Sequence, residues 1–189
     1  MQDNLLELRH ISKQYPGVLA LNDVTLEIKK GETHAIVGEN GAGKSTMIKI
    51  LSGAIVPSEG TVVFEGQEYR SMDPQRSTAL GISVIYQEFN LMDTLSVAEN
   101  LYAGHLPTSR RLYDKQETER RAKEVFSNMG VEIDVTQKVG ELSVAYMQLV
   151  EIAKSLTRNV RLLIMDEPTA PLTTKETRDV YKRQKEGKR

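Results

Sequence analysis

Nine consecutive residues carry the most specific chemistry in this chain: Gly38, Glu39, Asn40, Gly41, Ala42, Gly43, Lys44, Ser45 and Thr46. A glycine, four residues, and then Gly-Lys-Ser form a loop in which small side chains let successive backbone N–H groups point inward at an anion. A helix that starts at the end of the loop adds the positive end of its dipole to the same point. Lys44 supplies charge for the terminal phosphates and Ser45 a hydroxyl for magnesium, so the pattern points to a nucleoside triphosphate with its Mg2+. Far downstream, the apolar run Leu162-Leu163-Ile164-Met165 ends in Asp166 and Glu167. Such a run reads as a central parallel strand that delivers acids to its carboxyl edge, where open α/β sheets bind ligands. There Asp166 would hold magnesium through its water shell, together with the Ser45 hydroxyl. Glu167 would polarise the water that attacks the γ-phosphate.

These groups need elements to position them. Thr33-His34-Ala35-Ile36-Val37 predicts a buried strand that enters the loop, and Met47, Ile48, Ile50 and Leu51 give the following helix an apolar face until Gly53. Around them, residues 5–36 and 60–86 are strand-rich: Val24–Ile28 alternates, and Thr61–Phe64 runs into Glu65-Gly66, a hairpin signal. From Thr94 to Leu156 the pattern turns helical. Its clearest helix starts at Asp114, an N-cap with Glu117 three residues on, and stops before Gly130. Ala122, Val125, Phe126 and Met129 form its apolar stripe, and the charged run Lys115–Lys123 its solvated face.

Composition sets the outer bounds. A chain of 189 residues suits one domain, or one domain with a subdomain. With 25 Lys and Arg against 26 Asp and Glu, the net charge of −1 gives no electrostatic reason to expect a nucleic-acid partner. The absence of cysteine excludes disulfides, thiolate zinc sites and cysteine nucleophiles. Met1–Glu7 has no apolar stretch of signal-peptide length, and no apolar run approaches the ~20 residues that cross a bilayer. The expectation is a soluble, cytoplasmic chain.

Five motifs in order carry a resemblance: Ile11–Val18, the phosphate loop, Ile85-Tyr86-Gln87-Glu88, Leu142-Ser143, and Met165-Asp166-Glu167-Pro168-Thr169. From about Leu5 to Leu172 the chain resembles the ATP-binding subunit of ABC transporters, and more narrowly the N-terminal ATP-binding half of the bacterial monosaccharide-import type. The resemblance implies an α/β fold: a P-loop core with a mainly parallel sheet, an antiparallel β portion and an inserted α-helical subdomain. The implied segments are a nucleotide-binding core over 1–87, a helical subdomain over 88–156, a core strand with the acidic pair over 157–177 and an atypical tail over 178–189. It implies that Tyr15 stacks on adenine, that Gln87 touches magnesium or the attacking water, and that Phe89–Leu101 are candidate contacts of a membrane partner. It further implies that Ser143 opens the signature helix facing the γ-phosphate held by a second ATP-binding half or subunit, in a head-to-tail dimer that sandwiches two ATP molecules. In that helix Ser143 is a suitable N-cap, and Leu149, Val150, Ile152, Ala153 and Leu156 form the buried stripe. Transmembrane permease subunits, and indirectly an extracytoplasmic sugar-binding protein, are the implied partners. The implied location is the inner face of the cell membrane.

The chain departs from the pattern in places. The family signature is commonly Leu-Ser-Gly-Gly-Gln, but Val144, Ala145 and Tyr146 stand here. The missing glycines weaken close backbone approach to phosphate, so this face is expected to catalyse slowly or only to bind. A histidine that contacts the γ-phosphate in the family has no counterpart, since only His10, His34 and His105 occur, all upstream of the acidic pair. The basic tail after Leu172 lacks the expected apolar pattern and reads as a C-terminal truncation. Pro171 stands where the family usually has a small residue. Two other classes share the loop. A ribosome- or DNA-associated ABC ATPase would bring a basic surface, and a P-loop kinase or GTPase would need an acceptor site or an Asn-Lys-x-Asp run, which is absent.

Overall fold

The computed structural model describes residues 4–86, 88–109 and 112–166. Within them the chain divides into two compact units, the described residues of Met1–Val84 with Arg161–Asp166, and Ile85–Val160.

In the first unit, strands β1 (Asn4–Tyr15) and β2 (Val18–Lys29) form a long antiparallel hairpin, closed by Pro16-Gly17 with Tyr15 opposite Val18. Helix α1 spans Lys44–Leu51, and strands β3 (Glu59–Phe64) and β4 (Gln67–Tyr69) follow. The order β2-β1-β3-β4 makes a four-stranded antiparallel sheet. The expected hairpin at Glu65-Gly66 is present, with φ of 50° and 81° at its two central residues and Phe64 opposite Gln67. Positive φ at both positions is the mirror-image turn whose twist matches that of the strands. Glu65 is held there by Lys30 at 3.3 Å and by the Arg161 guanidinium. Helix α2 (Pro74–Ala79) is capped by Asp73, and it leads to β5 (Ile82–Ile85).

Strand β8 (Leu162–Met165) pairs with β5. The N–H groups of Arg161 and Leu162 both donate to the Gly81 carbonyl, so the two strands start side by side and run the same way. The parallel part of the fold consists, among the described residues, of this pair. Leu6, Leu8, Ile11, Met47, Ile50, Leu51, Phe64 and Ile82 gather under the four-stranded sheet, with Leu162 and Ile164 packed against them. The α1 face predicted from its spacing is the buried one.

One expectation fails here. Thr33–Val37 belongs to no strand among the described residues, and it is exposed, with Val37 at 93%. A strand is defined by the ladder a neighbour supplies. An apolar run whose backbone meets no partner stays open to water however strand-like its residues are.

The second unit is helical: α3 (Val97–Leu101), a short β6–β7 ribbon (Thr108–Ser109 with Leu112–Tyr113), α4 (Lys115–Met129), a 3-10 turn at Val139–Glu141, and α5 (Val144–Leu156). Its core joins Val97, Leu101, Ala122, Phe126, Val135, Val139, Val150 and Ala153. The predicted α4 stripe faces this core, with Val125 and Met129 at its margin. Asp114 caps α4 through the Glu117 N–H at 3.0 Å, but the reciprocal half of the capping box is missing. The Glu117 carboxylate turns instead to Arg120 and Arg121, and the Asp114 N–H goes to the Pro107 carbonyl. A complete capping box occurs at Ser96 and Glu99, at the start of α3. No helix among the described residues is long and apolar enough to cross a membrane.

Candidate nucleotide site

The loop between Gly38 and Thr46 owes its shape to its contact with the long hairpin. Gly43 takes the N-cap position of α1 at φ 91° and ψ −1°, a left-handed conformation. A Cβ at this position would sit 2.5 Å from the Ala20 carbonyl oxygen and 2.7 Å from Leu21 Cδ2. Only glycine satisfies both the backbone sign and the space, so the loop is pressed directly onto β2. Gly41 also has positive φ, at 84°, but nothing lies within 4 Å of where its Cβ would be. One glycine is therefore required by packing and the other by backbone conformation alone.

Between them, the Ala42 N–H donates to the Glu39 carbonyl at 3.1 Å, tightening the bend, and the Met47 N–H donates to the Gly43 carbonyl at 3.0 Å, starting the helix. No side chain caps α1. Its first amides are thus left as donors at the mouth of the loop, where the helix dipole is positive. Lys44 folds back over the bend, and its Nζ donates to the carbonyls of Gly38 at 2.6 Å and Glu39 at 3.0 Å. Ser45 is exposed and Thr46 half-buried on the first turn.

The same hairpin carries Tyr15. The ring sits at the far end of β1, 36% exposed, with the Lys13 ammonium 5.3 Å from its centroid. Lys13 pairs with Leu21 across the hairpin, and Leu21 is the residue that touches Gly43. The phosphate loop and the candidate adenine platform are therefore two features of one β-ribbon, linked through Ala20 and Leu21. Asp166 follows β8 directly, half-buried, in the same compact unit as the loop. Gln87 and Glu167 lie outside the described residues.

Ser143 belongs to the second unit. It takes the N-cap position of α5 with extended backbone, φ −69° and ψ 157°, but its side chain makes no capping hydrogen bond. The expected cap is thus one of backbone position only, and the first-turn amides of α5 keep their hydrogens. Val144 and Tyr146 beside them are exposed, at 53% and 38%. The buried stripe of α5 is also rotated from the expected one. Leu149, Val150 and Ala153 are buried as predicted and Leu156 is 48% exposed, whereas Gln148 and Glu151 are buried. Sequence reading passed over both polar residues because an apolar periodicity template treats a glutamate as solvated. The available signal was their i, i+3 spacing inside an apolar face.

Comparison with known proteins agrees with this geometry. Residues 21–170 match the ABC transporter family. The chain is 49% identical to a ribose import ATP-binding protein of Streptomyces avermitilis over 95% of its own length and 34% of that protein. It is 40% identical to a galactose/methyl galactoside import ATP-binding protein of Clostridium perfringens, covering 95% of this chain and 35% of that one. It thus spans about a third of the length of the curated relatives it matches. Among solved structures, an ATP-binding cassette of an ABC transporter in its ADP conformation superposes with a TM-score of 0.82 at 27% identity, over 98% of this chain and 77% of that one. A dimeric cassette in a post-hydrolysis state bound to ADP and Pi superposes with a TM-score of 0.79 at 29% identity, over 96% and 82%. With the family match running over residues 21–170, the chain belongs to the ABC transporter family.

Proposed function

We propose that this chain binds ATP with magnesium at the 38–46 loop and serves as the ATP-binding, ATP-hydrolysing part of a transporter that imports a monosaccharide through membrane permease subunits. The observation that carries the binding step is Gly43, whose left-handed backbone is locked against Ala20 and Leu21. That contact fixes the amides of the loop before any ligand arrives, so little ordering remains to be done on binding. The names of the sugar-import relatives support the monosaccharide.

Each described residue then has a task. Loop amides and the start of α1 hold the β- and γ-phosphates, with Lys44 exchanging its two carbonyl partners for phosphate oxygens. Tyr15 offers its ring, with Lys13 beside it, to the adenine. Magnesium fits the chemistry of the donors: the exposed Ser45 hydroxyl and the half-buried Asp166 carboxylate are hard oxygen ligands, and this ion characteristically takes one or two carboxylates plus phosphate oxygens and water. Asp166 and the Ser45 hydroxyl would hold it, and it would supply charge neutralisation between the phosphates. Gln87 and Glu167 complete the set, as contact to metal or water and as the group that orients the attacking water. Ser143 and the free amides of α5 face the γ-phosphate held by a second ATP-binding half or subunit, and the dimeric cassette structure supports that pairing. The working location is the cytoplasmic face of the membrane, beside the permease.

The test is Lys44→Ala. Loss of a charge-assisted pair costs ~1.5–3 kcal/mol, which lowers affinity about ten- to a hundredfold. Isothermal titration with Mg-ATP should show that loss while the far-UV spectrum is unchanged. Equal affinity in the two proteins would remove the loop from the site.

A further inference from the structure

Two jaws on helix α5 close on the backbone of a single residue. The Asn90 N–H donates to Glu151 Oε1 at 2.8 Å, and Lys154 Nζ donates to the Asn90 carbonyl at 2.6 Å. Asn90 stands three residues beyond Gln87, and α5 begins one residue after Ser143. Further along the same loop, Met92 is held by Asn100 of helix α3, which is fully buried, accepts from the Met92 N–H at 2.8 Å and donates to the Met92 carbonyl at 3.0 Å. The segment that leads into Ser143 grips the loop as well. The Val139 N–H donates to the Leu95 carbonyl at 3.0 Å and the Gly140 N–H to the Asp93 carbonyl at 3.1 Å.

Surface loops rarely receive this treatment. A carboxylate that is only 7% exposed is expensive to bury, and the expense is offset only where it meets good donors. Here its donor is one backbone amide of an exposed loop residue. What the glutamate adds to the helix is a fixed acceptor for the Asn90 N–H.

We propose that Glu151 and Lys154 are positioning residues: by holding both backbone groups of Asn90, they make the chain just past Gln87 and the helix that starts at Ser143 move as one body. Resting on the nucleotide-binding reading above, the clamp would link the two candidate γ-phosphate contacts contributed by this unit. A change at one is then felt at the other without any direct contact between them.

Hydrogen exchange of the full chain, with and without a nonhydrolysable Mg-ATP analogue, tests the clamp in two arms. In Glu151→Ala the Asn90 amide should exchange at least tenfold faster than in the wild type. In Glu151→Gln, whose amide oxygen accepts the same hydrogen, it should stay protected, an outcome that separates a specific acceptor from mere loss of packing. In the second arm, the analogue should alter exchange at 88–92 and 143–147 together in the wild type and in Glu151→Gln, and at only one of the two segments in Glu151→Ala. Lys154→Met removes the other jaw and should also break the joint response, which keeps the test open if Glu151→Ala fails to fold. Unchanged Asn90 exchange in the alanine variant, or a joint response that survives both Glu151→Ala and Lys154→Met, overturns the proposal. No response to the analogue anywhere in the wild type defeats the nucleotide reading instead, and the Asn90 arm still decides the clamp.

Discussion

At the residue scale, Gly43 and Gly41 separate two reasons for a glycine. Alanine at 43 would drive its Cβ into backbone at 2.5 Å, and backbone cannot step aside as a flexible side chain can. Gly43→Ala should therefore lower Mg-ATP affinity at least tenfold and reduce the melting temperature. Gly41→Ala meets open space and pays only for its left-handed backbone, ~1–2 kcal/mol, so most binding should survive. Comparable losses at both positions, measured by titration calorimetry and thermal melting, would contradict the role given to Ala20 and Leu21. Glu117 gives a second residue-scale prediction. Hydrogen bonds from Arg120 and then Arg121 pull its carboxyl down to about 2 from an ordinary 4.5. A lowered acid favours the folded state above its unfolded value. The contribution of Glu117 is complete above pH 4.5 and is lost as pH falls from there through about 2. A carboxyl-carbon NMR titration should place its midpoint well below those of solvated glutamates, and Arg120→Ala should move it upward.

At the scale of elements, helix starts differ in how their free amides are used, and the difference follows the candidate sites. Helices α3 and α4 are closed by side chains, Ser96 with Glu99 and Asp114. Helices α1 and α5, which begin at the two candidate phosphate contacts, have no side-chain cap. Ser96→Ala removes both the cap acceptor and the hydroxyl that donates to Glu99 at 2.7 Å, and it should cost about 1 kcal/mol in denaturant unfolding. Ser143→Ala, whose hydroxyl caps nothing, should leave stability within about 0.5 kcal/mol. A large loss from Ser143→Ala would assign that hydroxyl a structural duty. Glu151 brings pH into the same helix. Burial raises its carboxyl above the ordinary value, against the pull of Lys154 and the Asn90 N–H. Its protonated form is thus favoured by folding, and the associated stability declines as pH rises from 4.5 through the raised value. Glu151→Gln should flatten that decline, seen as a smaller drop in melting temperature than the wild type shows as pH rises above 4.5.

At the scale of the whole molecule, the unpaired Thr33–Val37 segment has physical consequences. Ile36 at 45% and Val37 at 93% exposure are strand-forming apolar residues in a segment that joins no sheet among the described residues, an exposed stretch open to pairing with another chain. Light scattering should show an apparent mass that rises with concentration, and Val37→Lys should suppress the rise. A monodisperse wild type over the same range would sink this. Much was legible from the residues alone. The 38–46 pattern, the Glu65-Gly66 turn, the α4 stripe and the Asp114 cap are local, set by spacing and backbone preference over a few positions, and the sequence states them directly. Long-range pairing was not legible. Whether Thr33–Val37 is a strand depends on a neighbour's hydrogen bonds, and five strand-forming residues cannot say whether one is there. The burial of Glu151 was hidden for the same reason, since its partner, the Asn90 N–H, is remote in sequence and carries no side-chain signal. The sequence alone determined the ligand proposed for the loop, because the glycine, lysine and serine spacing over 38–46 that suits a phosphate is local. Only the tertiary structure decided that Gly43 is locked by Ala20 and that α5 grips Asn90, because both are contacts between chain segments whose meeting no local pattern encodes.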